Sequence, residues 1–512
     1  MEYYAKSKKV QFTSERINEI KKNMKNIEEC LKENLTETDI EILNSSITDI
    51  AEKTEEKQKT LKEHHKDIVT CAEMFFLEYG EYFTEKEKKL VVEACRIHDL
   101  GKVNLVFQAM ICPKLAEKFY IDVRKTQQIP HGFLSAVTIS LDEFDDLSEL
   151  FSDKDFGPFI TAVYYHHDRE DHYNSPAIRK YAEKYYMKQI EEYLNRKIRK
   201  LNCSNLDDLL FRNNVYTGKY IPDSNAWKEY LLIKGLLNKF DYTVSAGYEN
   251  AESVIDLHEK KLVKNIEKFL NGKELRPAQK FMKMNRDKNL IVIAPTGSGK
   301  TEASLLWMNG EKSFYTLPLK VSSNAIYLRI KENYEYKDVA LLHSDAMAVY
   351  LREYNGNEDI GEKYERSKML SQPLTVCTVD QLFRFVYRAL GTEIFAATLK
   401  YSKLVLDEIQ AYEPRVIATI IYGLKMIQEM GGKFAIITAT FPPVLKYFME
   451  QYGLVEGKQY IFKDFTGKEY QVEKYPRHKV EIRHSEMNLD EIRLRGKNRK
   501  VLVICNTVSK AQ

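Results

Sequence analysis

The nine residues APTGSGKTE, 294 to 302, follow the apolar run NLIVI with no spacer. A short strand that turns through two glycines straight into a helix leaves few folds open. Glycine backbones let N–H groups wrap phosphate oxygens, Lys300 adds a point charge, and the Thr301 hydroxyl can hold Mg²⁺. A helix beginning there turns its positive end toward the same phosphates. The spacing is the Walker A form with Ala294 in place of the first glycine. Thr296, Gly297, Ser298, Gly299, Lys300 and Thr301 are therefore the candidate phosphate-binding residues.

The surroundings agree with that motif. Beyond about residue 270 the short apolar runs NLIVIAP, SFYTLP, VALLHS, PLTVCTV, KLVLDEI and KFAIITAT recur, separated by longer, mostly amphipathic stretches. Strands alternating with helices imply a parallel sheet covered on both faces. KLVLDEIQ ends its strand on Asp407 and Glu408, where the carboxyl end of a strand meets the ligand crevice. Asp407 can bind Mg²⁺, directly or through water, and Glu408 can position or deprotonate an attacking water. The chain is expected to bind ATP with Mg²⁺ and to hydrolyse it. One more strand-like run, KVLVICNT, spans 500 to 507.

The first 250 residues or so read mainly as helix, with 14 to 60 a charged, exposed helical insert. In LKEHHKDIVTCAEMFFLEYG, the residues Leu61, His64, Ile68, Cys71, Phe75 and Tyr79 fall on one stripe; EKKLVVEACRIHDLGK repeats the pattern and stops near Gly101. Histidine use is uneven: seven of the 11 lie between residues 64 and 172. His64, His98 with Asp99, His131, and the adjacent His166 and His167 form a candidate metal set. Imidazole with carboxylate suits Mn²⁺, Fe²⁺, Co²⁺, Ni²⁺ or Zn²⁺ more than Ca²⁺ or Mg²⁺. Two ions about 3.5–4 Å apart, bridged by one carboxylate, can clamp both oxygens of a phosphodiester displacement, and Asp99 is the bridging candidate. Neighbours about 100° apart can both converge on an ion where a helix ends.

Composition excludes several classes. Seven cysteines without a C-x-x-C pair argue against a disulfide framework and a zinc ribbon. No run approaches the ~18 apolar residues of a membrane span, and the opening MEYYAKSKKV lacks the apolar core of a signal peptide; the expected location is the cytoplasm. A net charge of +3 does not announce nucleic acid. The local run RLRGKNRK, 493 to 500, reads as a solvated loop.

The series LRPAQ, APTGSGKT, DEIQ and ITAT resembles the motor core of superfamily 2 helicases, and HDLGK, PHGFLSA and YYHH resemble the HD phosphohydrolases. In that order, with YYAKS before them and NTVSKAQ after, they resemble the CRISPR-associated helicase-nuclease of type I interference systems. The resemblance implies a multidomain chain: an all-α HD nuclease domain over 1–250, a first RecA-like α/β lobe over 251–452, and the start of a second over 453–512. It implies that Gln279 reads adenine and that Thr438 and Thr440 couple the nucleotide to the nucleic-acid path. It places Asn324, Arg329, Thr378 and Gln381 on strand-contacting segments. It adds Asp241, in KGLLNKFDYTVSAG, to the metal set and makes Lys102 a phosphate contact; His65 and His172 fall outside its register. The implied function is a metal-dependent single-stranded DNA nuclease with an ATP-dependent DNA helicase, acting in antiviral defence beside a guide-RNA surveillance complex. Two rivals remain: an ATP-gated nucleic-acid-binding protein with an inactive HD domain, and an HD phosphohydrolase acting on nucleotides. The family's histidine at the end of the acidic motif is Gln410 here, which leaves hydrolysis expected and its coupling to DNA open. The later motifs, with an arginine worth on the order of 10³–10⁵ in rate, have no counterpart up to Gln512. The expectation is a truncated chain that binds ATP, hydrolyses it poorly and does not translocate.

Overall fold

The structure, a computed structural model, describes residues 3–5, 59–139, 156–167, 175–198, 201, 224–253, 259–353, 360–470, 481–484, 488–505, 507 and 509. All but the last two residues of the charged insert lie outside these, as does His172. Two compact units emerge, Met1–Thr466 and Gly467–Gln512.

The helical half of the first unit is organised by caps and apolar stripes. Helix α1 (Leu61–Tyr79) starts at a capping box, in which Thr60 accepts from the Glu63 N–H and Glu63 accepts from the Thr60 N–H. Helix α2 (Glu85–Ile97) repeats the device with Thr84 and Glu87. Each box satisfies N–H groups that a helix start otherwise leaves open. All six residues of the predicted α1 stripe are buried. Helices α3 (His131–Thr138), α4 (Gly157–Tyr164) and α5 (Asn225–Ser245) follow. Helix α5 is buried on nearly every side, from Trp227 to Val244, and the charged residues it buries, Lys234, Lys239 and Asp241, are each paired.

The second half begins with α6 (Pro277–Met284), then β1 (Leu290–Ile293), α7 (Lys300–Met308), β2 (Ser313–Leu317), α8 (Lys320–Glu332), β3 (Val339–Leu342) and β4 (Leu374–Thr378). Helix α9 (Glu393–Lys400), β5 (Lys403–Asp407), α10 (Pro414–Met430), β6 (Lys433–Thr438), α11 (Pro443–Gln451) and β7 (Ile461–Asp464) complete it. The six strand-like runs from NLIVIAP to KFAIITAT all form strands. The sheet order is β3-β4-β2-β5-β6-β1-β7, and every pairing is parallel. Its inner strands are buried throughout, as a sheet covered on both faces requires. Strands β1, β5 and β6 lie side by side, so the Walker loop, the Asp407–Glu408 pair and the Thr438 segment open at one edge.

Helix α5 joins the two halves. It packs on α1, α2 and α4 and also on α9 of the sheet half, and one apolar core runs through both. The approach is closest at Gly235, where a Cβ would lie 2.4 Å from the Glu393 carbonyl oxygen and 2.5 Å from the Ala397 Cβ.

Two expectations near the end are revised. Residues 461–464, expected to lie in a second lobe, form β7 and pair with β1; the division between compact units falls after Thr466. Sequence pattern could not show this, because pairing with β1 is a long-range choice. The run from 500 to 505 carries no strand among the described residues, and Leu502 and Ile504 are each 84% exposed. In the second unit Arg493 and Arg495 lie on a helix, α12 (Leu489–Gly496), instead of a loop, and pair with its own Asp490 and Glu491.

Candidate metal centre and nucleotide site

Asp99 stands at the point where α2 ends. The helix stops at Ile97, His98 caps it, and Leu100–Val103 form a tight 3₁₀ turn. That turn seats Gly101 under α3, where a Cβ would lie 2.0 Å from the His131 carbonyl oxygen. Asp99 is fully buried, and its two oxygens face two groups of imidazoles. Oδ2 lies 3.4 Å from both His64 Nε2 and His98 Nε2; Oδ1 lies 3.3 Å from His131 Nε2 and 3.4 Å from His166 Nε2. Asp241, from α5, repeats the arrangement, with Oδ1 3.3 Å from His64 Nε2 and Oδ2 3.1 Å from His167 Nε2. All seven residues of the metal set thus meet in one place, and Asp99 belongs to both clusters of potential ligand atoms. The adjacent His166 and His167 follow α4 in a turn, and they reach different carboxylates.

Three observations test whether these residues suit divalent ions. His98 Nε2, His131 Nε2, His166 Nε2 and Asp99 Oδ1 are buried and make no hydrogen bond, a costly state for a polar atom. His98 Nδ1 and His166 Nδ1 lie 3.0 and 2.6 Å from the carbonyls of Cys95 and Val163, the arrangement that turns Nε2 toward a metal. The protonation states of His131, His166 and Asp99 fit as well, while at His64 burial is outweighed by Asp241 and Asp99, which raise it above the ordinary imidazole range. Burial drives His131 and His166 toward the neutral form, His166 down to about 4. Burial also opposes the charge on Asp99, but His98 and Lys102 outweigh it and hold the carboxyl well below its ordinary range. Neutral imidazole and ionised carboxylate are the forms that ligate. The residues fit.

Lys102 Nζ lies 2.6 Å from Asp99 Oδ2 and neutralises part of its charge. His65 is not in either cluster: its Nδ1 lies 3.1 Å from the Tyr193 hydroxyl and its ring packs 5.7 Å from that of His98.

At the sheet edge, Lys300 Nζ lies 2.6 Å from Glu408 Oε1, and Tyr315 donates to Asp407 Oδ2 at 2.7 Å. Burial is the main influence on Asp407; it outweighs Tyr315 and Lys300 and raises the carboxyl to about 6. Glu408 sits at φ 55°, a left-handed conformation uncommon outside glycine and often found at active sites. Gln279 is buried, accepts from the Arg276 N–H at 3.0 Å, and donates to the Gly299 carbonyl, so it supports the phosphate loop directly. Gln410 was the puzzle of the sequence. Its amide donates to Glu408 Oε2 while its carbonyl accepts from the Thr438 hydroxyl, which also reaches the Thr440 carbonyl at 2.8 Å. A carboxamide has a donor and an acceptor at once, so the acidic pair and the threonine segment are linked. The spacing of DEIQ and ITAT contained both residues but not their contact.

The four strand-contact candidates are mostly engaged within the protein. Arg329 pairs with buried Glu302 and lies over the Tyr334 ring; Asn324 Oδ1 lies 2.6 Å from His343 Nε2. Thr378 is buried at the end of β4, and Gln381 bonds Asp380 and Arg384. No helix among the described residues is long and apolar enough to cross a membrane.

Comparison with known proteins follows the same division. Residues 51–224 match the family described as Cas3, HD domain, and residues 277–448 match the DEAD/DEAH box helicase family. Asp241 lies between the two matches, so its place in the centre comes from the fold. The CRISPR-associated nuclease/helicase Cas3 of Methanothermobacter thermautotrophicus is 25% identical over 464 residues, covering 78% of this chain and 54% of that protein. The CRISPR-associated endonuclease/helicase Cas3 of Escherichia coli is 25% identical over 190 residues, 32% of this chain and 21% of its own length. The chain thus spans about half the length of the first relative or less of the others. The crystal structure of T. fusca Cas3-ATP shares the fold, with a TM-score of 0.54 at 17% identity, over 80% of this chain and 52% of that one. A match to the Cas3 HD domain followed on the same chain by a match to the DEAD/DEAH box helicase family makes this protein similar in its domain order to the Cas3 nuclease/helicases.

Proposed function

We propose that the chain is a metal-dependent single-stranded DNA nuclease joined to an ATP-dependent DNA motor and acting in CRISPR defence. The observation that carries the reading is Asp99, one buried carboxylate presenting each oxygen to a separate group of imidazoles. His64 and His98 would hold one ion and His131, His166 and His167 a second, with Asp99 between them and Asp241 reaching both groups. Ions such as Mn²⁺, Co²⁺, Ni²⁺ or Fe²⁺ would supply Lewis-acid polarisation and charge neutralisation at a phosphodiester. Lys102, already at the rim of the carboxylate, directs a positive charge to the same place and orients a phosphate.

At the other site Lys300 and the loop N–H groups would bind the phosphates of ATP, Thr301 and Asp407 would hold its Mg²⁺, and Glu408 would orient the attacking water. Gln410 fixes Glu408 relative to Thr438, which supports coupling between nucleotide and strand. The partner implied by the family is a guide-RNA surveillance complex that exposes a single strand of target DNA.

Elemental analysis after metal loading tests the centre. Two transition ions per nucleotide-free chain are expected, and fewer than one in Asp99→Ala. Equal metal content in both would contradict the bridging role.

A further inference from the structure

Where the helical half meets the sheet half lies a buried group of charges that neither site uses. Lys239 of α5 and Lys312, the residue before β2, both point at Glu252, and all three are buried. Lys239 Nζ lies 3.0 Å from Glu252 Oε1, Lys312 Nζ bonds Oε2, and the Tyr401 hydroxyl donates to Oε1 at 2.7 Å. The excess positive charge is absorbed by backbone. Lys239 donates to the carbonyls of Met369 and Leu370 at 3.1 Å each, and Lys312 to those of Leu370 and Gln372. Leu370, which serves both ammonium groups, is held at φ 55°, a conformation leucine seldom adopts.

Stability alone does not explain this arrangement. Apolar residues of similar volume commonly replace buried ion pairs without loss, and the best-attested use of such groups is to fix register. Register matters here. Lys239 precedes Asp241 by two residues, about 200° round the helix, so one face of α5 meets the sheet half while the other presents a carboxylate to the imidazoles. Lys312 precedes by three residues Tyr315, the donor to Asp407. Rigid elements leave the joint toward both centres.

We infer that Glu252 is a positioning residue for the metal centre: gripping Lys239, it fixes the rotation of α5 about its axis and so sets how Asp241, on the opposite face, is turned toward the imidazoles. The inference rests on the metal-centre reading above. Lys239 is the arm on the nuclease helix; Lys312 holds Glu252 to the sheet.

The test compares Lys239→Met with Lys312→Met, each of which leaves one ammonium against one carboxylate. Co²⁺ is titrated into nucleotide-free protein and followed by visible absorption, with melting temperature as the control for folding. Lys239→Met is expected to weaken Co²⁺ binding by roughly tenfold, the usual effect of an outer support, and Lys312→Met to stay within about twofold of native. Should Lys239→Met not fold, Lys239→Gln, which can still reach the two carbonyls, takes its place with the same expectation. Equal Co²⁺ affinities in the two variants, whatever their melting temperatures, would overturn the inference. Absence of Co²⁺ binding in the native chain would instead overturn the metal-centre reading.

Discussion

Gly235→Ala sets two physical effects against each other. Gly235 lies in the middle of a 21-residue helix, where alanine is favoured over glycine by about 1 kcal/mol. Helix propensity alone therefore predicts a more stable protein. Packing predicts the opposite. The new methyl would sit 2.4 Å from the Glu393 carbonyl oxygen and 2.5 Å from the Ala397 Cβ, against a normal carbon separation of about 3.5–4.0 Å. Both neighbours are backbone or bound directly to it, so α5 and α9 must part by about an ångström. Overpacking of this kind costs about 1–3 kcal/mol. The same movement stretches the buried bonds from Tyr230 (2.7 Å) and Lys234 (3.1 Å) to Glu393, and breaking a buried pair outright costs about 3–5 kcal/mol. After subtracting the propensity gain, the variant should lose about 2–4 kcal/mol. At about 2 °C per kcal/mol, the low end for large domains, scanning fluorimetry should show melting about 4–8 °C lower. Adding Ala397→Gly should restore only part, since the carbonyl contact remains. A melting temperature equal to or above native would refute the packing argument.

Gly101→Ala, whose Cβ would strike the His131 carbonyl at 2.0 Å, should displace His131 and weaken Co²⁺ binding while leaving nucleotide binding intact, as parallel titrations would show. Gln410→Ala should keep ATP affinity within about twofold yet slow turnover on the order of ten- to a hundredfold, because Glu408 loses the group that orients it; unchanged turnover in a phosphate-release assay would remove Gln410 from the account. Burial raises the Asp407 carboxyl to about 6, which favours the protonated form below that value. Since Mg²⁺ needs the carboxylate form, ATP·Mg²⁺ affinity should fall about fourfold from pH 7.5 to 5.5, and Asp407→Asn should abolish that dependence in a fluorescent-nucleotide titration.

The sequence displayed what depends on local pattern. Strand β1 and its Walker loop, strand β5 with Asp407, and the α1 stripe that carries His64 are all short-range signals, and each formed at its expected place. The histidines also read clearly, because adjacent imidazoles at a helix end have few structural uses. What stayed hidden was contact between distant residues. Nothing in the run VEGKQYIFKDF marks it as the edge strand beside β1. Glu252 belongs to no motif, and only the meeting of α5 with the residue before β2 sets two lysines against it. The partner of Arg329 was hidden for the same reason: no spacing in the sequence pairs a residue of α8 with Glu302 in the helix after the phosphate loop.

All candidate ligands of the metal centre lie between residues 64 and 241, within the helical half. Cleavage of single-stranded DNA by the purified chain, with Mn²⁺, Co²⁺, Ni²⁺ or Mg²⁺ and without ATP, therefore tests the central claim directly. Cutting that requires a transition ion and disappears in Asp99→Ala is the expected result. A folded chain that binds ATP but cuts with none of these metals would contradict it.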